Sequence, residues 1–249
     1  MRLAVISDIH SDLPSLEKAI NEIKASGVDR LLCLGDIVGY SYHYADHLEG
    51  RDPNACVEMV RQNCDYIICG NHDLHEVRKL PLNHKEAGIP GDWYDLDLGE
   101  RSRISENRFW LYDDELEDPL NESSKAFLDQ LPEQLVIQDK KFNMMATHFV
   151  WPDITGHRKS FPAKLIDFKD HIDLIKRNKC LVGLAGHAHP EGYAQISKKA
   201  FGLNYFRQGK IIRRPQLIIV PAITRSDKSR NGYLVLDSEK YTFESIPID

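Results

Sequence analysis

Eight polar side chains stand just beyond short apolar runs in this 249-residue chain: Asp8 and His10, Asp36, Asn71 and His72, His148, and His187 with His189. Seven of the eight can act as ligands, which suits two divalent ions that share a carboxylate, since Asp36 has two oxygens to give. Imidazole, amide and carboxylate donors without thiolate point to Mn²⁺ first, with Fe²⁺, Zn²⁺, Co²⁺ or Ni²⁺ as alternatives; Ca²⁺ does not fit, and Mg²⁺ is less natural beside so many imidazoles. Each fragment alone is weak. Asp8-x-His10 occurs in solvated turns, Gly35-Asp36 is a common pair, and Asn71 and Asp73 could merely bond their own backbone. The paired imidazoles of His187 and His189 are harder to explain structurally, because each would need its own desolvated partner.

Such tips require strands to aim them. Residues 3–6, 31–34, 66–69 and 180–185 have the length and branching of buried strands, and His148 follows the apolar run 142–146 across Thr147. Gly35 and Gly70 let the chain turn sharply before the ligand-type residues. Between the first two strands, Pro14 suits a first helical turn, and Leu16, Ala19, Ile20 and Ile23 form one helix face ending near Gly27. Strand-helix-strand order implies a parallel pair with a right-handed crossover, so Asp36 should emerge at the same sheet edge as Asp8. Further helices are expected over 54–63 and 123–131, the latter stopped by Pro132, and one before residue 180 with Ile166, Leu174 and Ile175 on its apolar side. Residues 134–137 and 142–146 read as an antiparallel pair, and 217–220, 233–236 and 241–246 as strands of a second sheet.

Two long segments interrupt this pattern. Residues 37–53 are rich in tyrosine and histidine and start beside the proposed site; Tyr40, Tyr42 and Tyr44 either pack the loop or meet substrate. The stretch 41–51 is expected over or beside the metals. Residues 74–120 are hardest to read, with 74–106 expected to cover part of the site and His75 and His84 expected at the surface or at caps. Asp73 has two readings, a group that orients His72 or a turn or helix cap. Arg225, Lys228 and Arg230 lie in a loop, 224–231, that reads as a solvated turn able to meet an anionic substrate.

Composition fits one folded domain over residues 1–249, with loop insertions at about 41–51 and 74–120. A formal net charge of −6 and a pI near 6.0 disfavour nucleic-acid binding by phosphate neutralisation. No apolar signal-peptide core and no run of 18 apolar residues occurs, so no membrane association is expected and the expected location is cytoplasmic. Of five cysteines, Cys33, Cys69 and Cys180 lie in apolar runs and are expected as buried reduced thiols.

The ordered blocks Asp8-x-His10, Gly35-Asp36, Gly70-Asn71-His72-Asp73, His148 and Gly186-His187-x-His189 resemble those of the calcineurin-like metallophosphoesterases. The resemblance implies a four-layer α/β/β/α sandwich with two mixed sheets. It implies one ion held by Asp8, His10, Asp36 and His189 and a second held by Asp36, Asn71, His148 and His187, with His72 catalytic. Gly39-Tyr40 replaces the Asp-Arg of the protein phosphatases and dinucleoside-tetraphosphate hydrolases, and is similar to the small bacterial phosphodiesterase branch. Residues 41–51 look inserted relative to that branch, and Pro221-Ala222 replaces its usual Gly-Ser. The implied function is hydrolysis of a phosphodiester or phosphomonoester through a metal-bridging hydroxide, on a small substrate, with nucleotides among the candidates. A silent scaffold or binding protein of the same fold and a metal-dependent nuclease are the alternatives. Leaving group, native metal and oligomeric state stay open at this stage.

Overall fold

Strand runs that are apolar at every position end up covered on both faces. The computed structural model describes residues 1–42, 47–117, 119–226 and 229–248. In chain order the first half holds β1 (Arg2–Ile6), α1 (Leu13–Ala25), β2 (Arg30–Cys33), β3 (Tyr40–Ser41), α2 (Pro53–Asn63), β4 (Tyr66–Ile67), α3 (Asn71–Glu76), α4 (His84–Ala87), α5 (Leu98–Ser105), β5 (Glu115–Leu116) and α6 (Glu122–Asp129). The second half holds β6 (Gln134–Ile137), β7 (Asn143–Thr147), α7 (Lys169–Arg177), β8 (Cys180–Ala185), β9 (Tyr193–Ser197), β10 (Ala200–Asn204), β11 (Gln208–Lys210), β12 (Gln216–Ile219), β13 (Gly232–Asp237) and β14 (Thr242–Pro247).

Two six-stranded mixed sheets result, ordered β11-β14-β13-β1-β2-β4 and β10-β9-β12-β8-β7-β6, with β3 and β5 pairing as a small separate ladder. Alternation along β1 shows how the layers form. Leu3 and Val5 face inward and pack with Met144, Val182, Leu184 and Ile218 of the other sheet, while Ala4 and Ile6 face outward onto Leu16, Ala19, Val57 and Leu128 of α1, α2 and α6. On the far side, Phe168, Ile172 and Ile175 cover Met145, Ile196 and Leu217. Helix, sheet, sheet and helix make the four layers expected. Helices α1 and α2 begin as their sequences dictate, with Asp12 and Asp52 accepting from the backbone N–H groups of Ser15 and Ala55 and a proline in each first turn.

Several expectations need correction. Residues 233–236 and 241–246 belong to the first sheet: β13 lies antiparallel to β1, with Leu3 opposite Leu236, and β14 follows it. The reason is that β2 occupies only one edge of β1, and the other edge has backbone groups that need a partner. Ile166 is 67% exposed and sits in a 3-10 turn, Leu165–Phe168, before α7 rather than on a helical apolar face. Of 66–69, only Tyr66 and Ile67 pair in a ladder with β2, because Gly70 already opens α3. The stretch 74–106 contains α4 and α5, folded around a small core of Ala87, Ile89, Trp93 and Phe109. The cysteines Cys33, Cys69 and Cys180 are free and buried, as expected.

One buried histidine makes stability depend on pH. His171 on α7 is fully buried and accepts the backbone N–H of Trp151 on Nδ1 at 3.0 Å. Burial pushes its pKa down to about 3. The unfolded chain takes up this proton below about 6.5 while the fold refuses it, so the contribution is complete above pH 6.5 and is lost as pH falls toward 3. A His171→Asn variant, whose amide oxygen can still accept from Trp151, should show a shallower fall in unfolding free energy over that window. The slope should change by up to about 1.4 kcal/mol per pH unit in denaturant titrations at several pH values; equal slopes for both proteins would refute the assignment.

Candidate functional site

The carboxyl ends of β1, β2, β7 and β8 meet at one edge, and backbone hydrogen bonds lace their tips together. Asp8 N–H donates to Gly35 O at 3.0 Å, His10 N–H to Asp36 O at 3.0 Å, and Gly186 N–H to His148 O at 2.8 Å. Asp8, His10, Asp36, His187 and His189 all adopt positive φ, between 42° and 64°. Such conformations are disfavoured for residues with a Cβ and persist where surrounding bonds over-determine them, as here. Close approach also requires glycine. A Cβ on Gly70 would lie 2.1 Å from Asp36 Oδ1 and 2.7 Å from the Asp36 backbone nitrogen. Gly70→Ala should therefore displace Asp36, destabilise the fold by about 1–3 kcal/mol as overpacking does, and lower metal content; thermal melts and metal analysis would check both.

All eight side chains singled out in the sequence line this edge. Three overlapping triads bring ligand atoms within 4.8 Å of one another: Asp8, His10 and His189; His10, Asp36 and His72; and Asp36, His148 and His187. His189 Nε2 is 3.2 Å from Asp8 Oδ1, His10 Nε2 is 3.4 Å from His189 Nε2, and His148 Nε2 is 2.9 Å from Asp36 Oδ2. His10 and His148 are oriented through their other nitrogens, Nδ1 contacting Gly39 O at 3.0 Å and Leu34 O at 2.8 Å, so each Nε2 faces the cleft. Asn71 donates from Nδ2 to the Tyr112 hydroxyl at 3.2 Å, which turns Oδ1 inward.

Charge and burial are strongly coupled here. Burial opposes ionisation of Asp8 and Asp36, yet His189 and His148 hold Asp8 low, and His148 and His72 hold Asp36 low. Burial depresses His10 to about 3, with the His72 charge adding to it, and depresses His187. Burial also acts on His148, but Asp36 overrides it and lifts that group to about 9. His72 rises to about 10 against burial, because Glu115 and Asp36 flank it.

Among the described residues, the buried polar atoms with no hydrogen-bonding partner in suitable geometry include four at this edge with metal-ligand chemistry, Asp36 Oδ2, Asn71 Oδ1, His148 Nε2 and His187 Nε2, alongside Ser7 Oγ, His72 Nδ1 and Glu115 Oε2. Native interiors seldom leave such groups orphaned. The chemistry of the four, one carboxylate oxygen, one amide oxygen and two imidazole nitrogens, is a divalent-ion donor set. The residues present therefore fit a metal centre.

The remaining sequence-level candidates divide. Asp73 does not reach His72; its carboxylate accepts from the backbone N–H groups of Gly70, Ile37 and Val38, at 2.9, 2.8 and 3.2 Å, and so ties α3 to the loop after β2. Glu115 contacts His72 instead, Oε1 to Nδ1 at 2.5 Å. Tyr112, Trp110 and Phe161 also line the cleft, whose volume is about 220 Å³, and Phe161 stacks on His187 at 5.2 Å. None of these four stood out in the sequence, where they lie in segments without periodicity. From the loop 41–51, Ser41 lines the cleft and His47 Nε2 contacts His10 O at 2.9 Å; His43, Tyr44, Ala45 and Asp46 lie outside the described residues. Tyr40 is buried, whereas Tyr42 is 59% exposed. His75 stacks on Tyr112 at 4.0 Å, and His84 sits at the start of α4 with Nδ1 against Pro81 O. Thr224 lines the cleft, Arg225 Nε is 3.4 Å from Asp12 Oδ2, Arg230 lies over the Phe206 ring, and Lys228 falls outside the described residues.

This sheet pair with its polar rim is the architecture of a metallophosphoesterase. The chain belongs to the calcineurin-like phosphoesterase family, whose profile matches residues 1–191. That family generally binds two divalent metals. Over 83 residues the chain is 45% identical to the protein named "Uncharacterized protein MJ0912" of Methanocaldococcus jannaschii, a match covering 33% of this chain and 30% of that relative's length. A metallophosphoesterase from Sphaerobacter thermophilus superposes with a TM-score of 0.68 at 19% identity, covering 100% of this chain and 88% of the other. The hypothetical protein PH1004 from Pyrococcus horikoshii OT3 gives 0.60 at 13% identity, also over 100% and 88%. Among the described residues, no helix is long and apolar enough to cross a membrane.

Proposed function

We propose that the chain is a dinuclear-metal-dependent phosphoesterase that hydrolyses a small phosphodiester or phosphomonoester. Asp8, His10, Asp36 and His189 would hold one ion, and Asp36, Asn71, His148 and His187 the other, with Mn²⁺ the first metal to try. The observation that carries this reading is the gathering at one sheet edge of Asp36 Oδ2, Asn71 Oδ1, His148 Nε2 and His187 Nε2, buried donor atoms that have no hydrogen-bonding partner among the described residues. When bound, two such ions supply Lewis acidity toward the phosphate oxygens and a hydroxide near neutral pH.

The protein's own groups do the rest. His72 Nε2, 3.9 Å from Asp36 Oδ2, faces the cleft and carries a proton that it can give to the departing oxygen as the phosphorus–oxygen bond breaks. Trp110, Tyr112 and Phe161 wall the cleft with apolar surface that excludes water and can lie against a flat leaving group or a nucleobase.

Metal analysis should approach two ions per chain. Protein reconstituted with Mn²⁺ should turn over at least one class among phosphomonoesters, phosphodiesters, cyclic nucleotides and single-stranded DNA, and chelation should abolish that turnover. Two bound ions with no turnover of any class would favour the binding-protein alternative. Activity confined to DNA would favour the nuclease.

A further inference from the structure

We propose that Glu115 is the positioning residue for His72, delivered to the site by the pairing of two inserted segments; the inference rests on the phosphoesterase reading above. Glu115 lies outside every ligand-bearing block of the sequence. Its carboxylate is nearly buried, 5% exposed, and Oε1 stands 2.5 Å from His72 Nδ1. The contact is built by the β3–β5 ladder, in which Ser41 is opposite Glu115 and Tyr40 opposite Leu116. Neighbouring bonds lock the ladder. Ser41 Oγ donates to Asp114 Oδ2 at 2.5 Å, and Arg51 Nη2 donates to Leu116 O at 3.3 Å.

Gly39 makes room for this arrangement. A Cβ there would fall 2.7 Å from His72 Nδ1, so the ring nitrogen meets Glu115 where a side chain at residue 39 would crowd it. At the other end of the residue, His72 N–H donates to Asp36 Oδ1 at 2.9 Å. The Glu115 carboxylate stands against Nδ1 as an ion-pair partner, and Nε2 is the ring nitrogen on the Asp36 side of the cleft. Residues 41–51 and 74–120 thus meet to complete the proton donor.

Glu115→Leu keeps apolar bulk, one atom shorter, and removes the acceptor, whereas Glu115→Gln keeps both the length and an oxygen for Nδ1–H. In Mn²⁺-loaded protein, Glu115→Leu should lower kcat for a phenyl ester by about 10-fold or more, within the roughly 10²–10⁴-fold that a general acid contributes. It should leave the corresponding p-nitrophenyl ester, whose oxygen needs little protonation, within about 3-fold. Glu115→Gln should fall between. Glu115→Leu combined with His72→Ala should be no slower than His72→Ala alone, since the two act as one unit. Additive losses, or equal losses on both esters, would overturn the proposal. A readout independent of turnover is the His72 Nδ1–H resonance of the Zn²⁺-loaded protein, assigned by its disappearance in His72→Ala. It should be observable in wild type and exchange-broadened in Glu115→Leu, and an unchanged resonance would overturn positioning by Glu115. Inactivity of wild type on both esters, with this resonance behaving as expected, would strike the phosphoesterase reading alone.

Discussion

Replacing Asp36 with Asn is expected to cost the protein both ions. Asp36 joins two of the three triads, so its carboxylate faces imidazoles on both sides of the cleft. Asparagine keeps the shape, and its Oδ1 can still accept from His72 N–H as Asp36 does at 2.9 Å. What disappears is the charge and one of the two donor oxygens, so neither ion retains a full set of ligands. Metal content should fall from near two per chain to below one. Turnover should drop by at least the roughly 10²–10³-fold associated with losing one preorganised electrostatic contact. Asn71→Ala provides the contrast, because Asn71 belongs only to the second proposed set; one ion should stay and the other should bind weakly. Wild-type metal content and turnover in Asp36→Asn would remove Asp36 from the bridging position.

The ligand-type tips were readable because each follows an apolar run that can hardly be anything but a buried strand. Leu3 to Ile6 is apolar throughout and both of its faces are covered. A buried strand must emerge somewhere, and polar residues beyond its end must find partners. Strand partnership was not readable in the same way. Tyr233 to Leu236 is as apolar as any strand of the second sheet, and only the open edge of β1 draws it into the first. Ile166 illustrates a different failure. Its spacing from Leu174 and Ile175 suits one helix, but a 3-10 turn precedes α7, and a change of residues per turn rotates Ile166 out to solvent.

Glu115 was invisible for a third reason. It ends the acidic run Asp113-Asp114-Glu115, which in isolation reads as a solvated turn. Only docking of β5 on β3 takes one of these carboxylates out of water and sets it against an imidazole. Asp73 shows the converse. An acid next to His72 in sequence is an obvious candidate for orienting it, yet at the third position of α3 it is drawn to the unpaired N–H groups at that helix start and in the adjoining loop. Of the two sequence readings of Asp73, the cap is the one the structure shows, and it is tertiary pairing that sets Glu115 against the imidazole.

His72→Ala should separate proton donation from metal binding. His72 is flanked by Asp36 on its Nε2 side and Glu115 on its Nδ1 side, and its ring packs edge-on against His10 at 4.6 Å. Its removal leaves Asp8, His10, Asp36, Asn71, His148, His187 and His189 in place, so metal content should remain near that of wild type. The departing oxygen would then leave without a proton donor. Turnover of an ester with a poor leaving group should fall by about 10²–10⁴-fold, and an activated ester should suffer much less. The loss should therefore grow as the pKa of the leaving group rises, which a series of substituted aryl esters measures directly. His72 also belongs to the triad with His10 and Asp36, so a ligand role is the specific competitor. Ligand loss would lower metal affinity and depress all esters alike. A His72→Ala protein that loses an ion, or that is equally slow across the series, would make His72 a ligand rather than the acid.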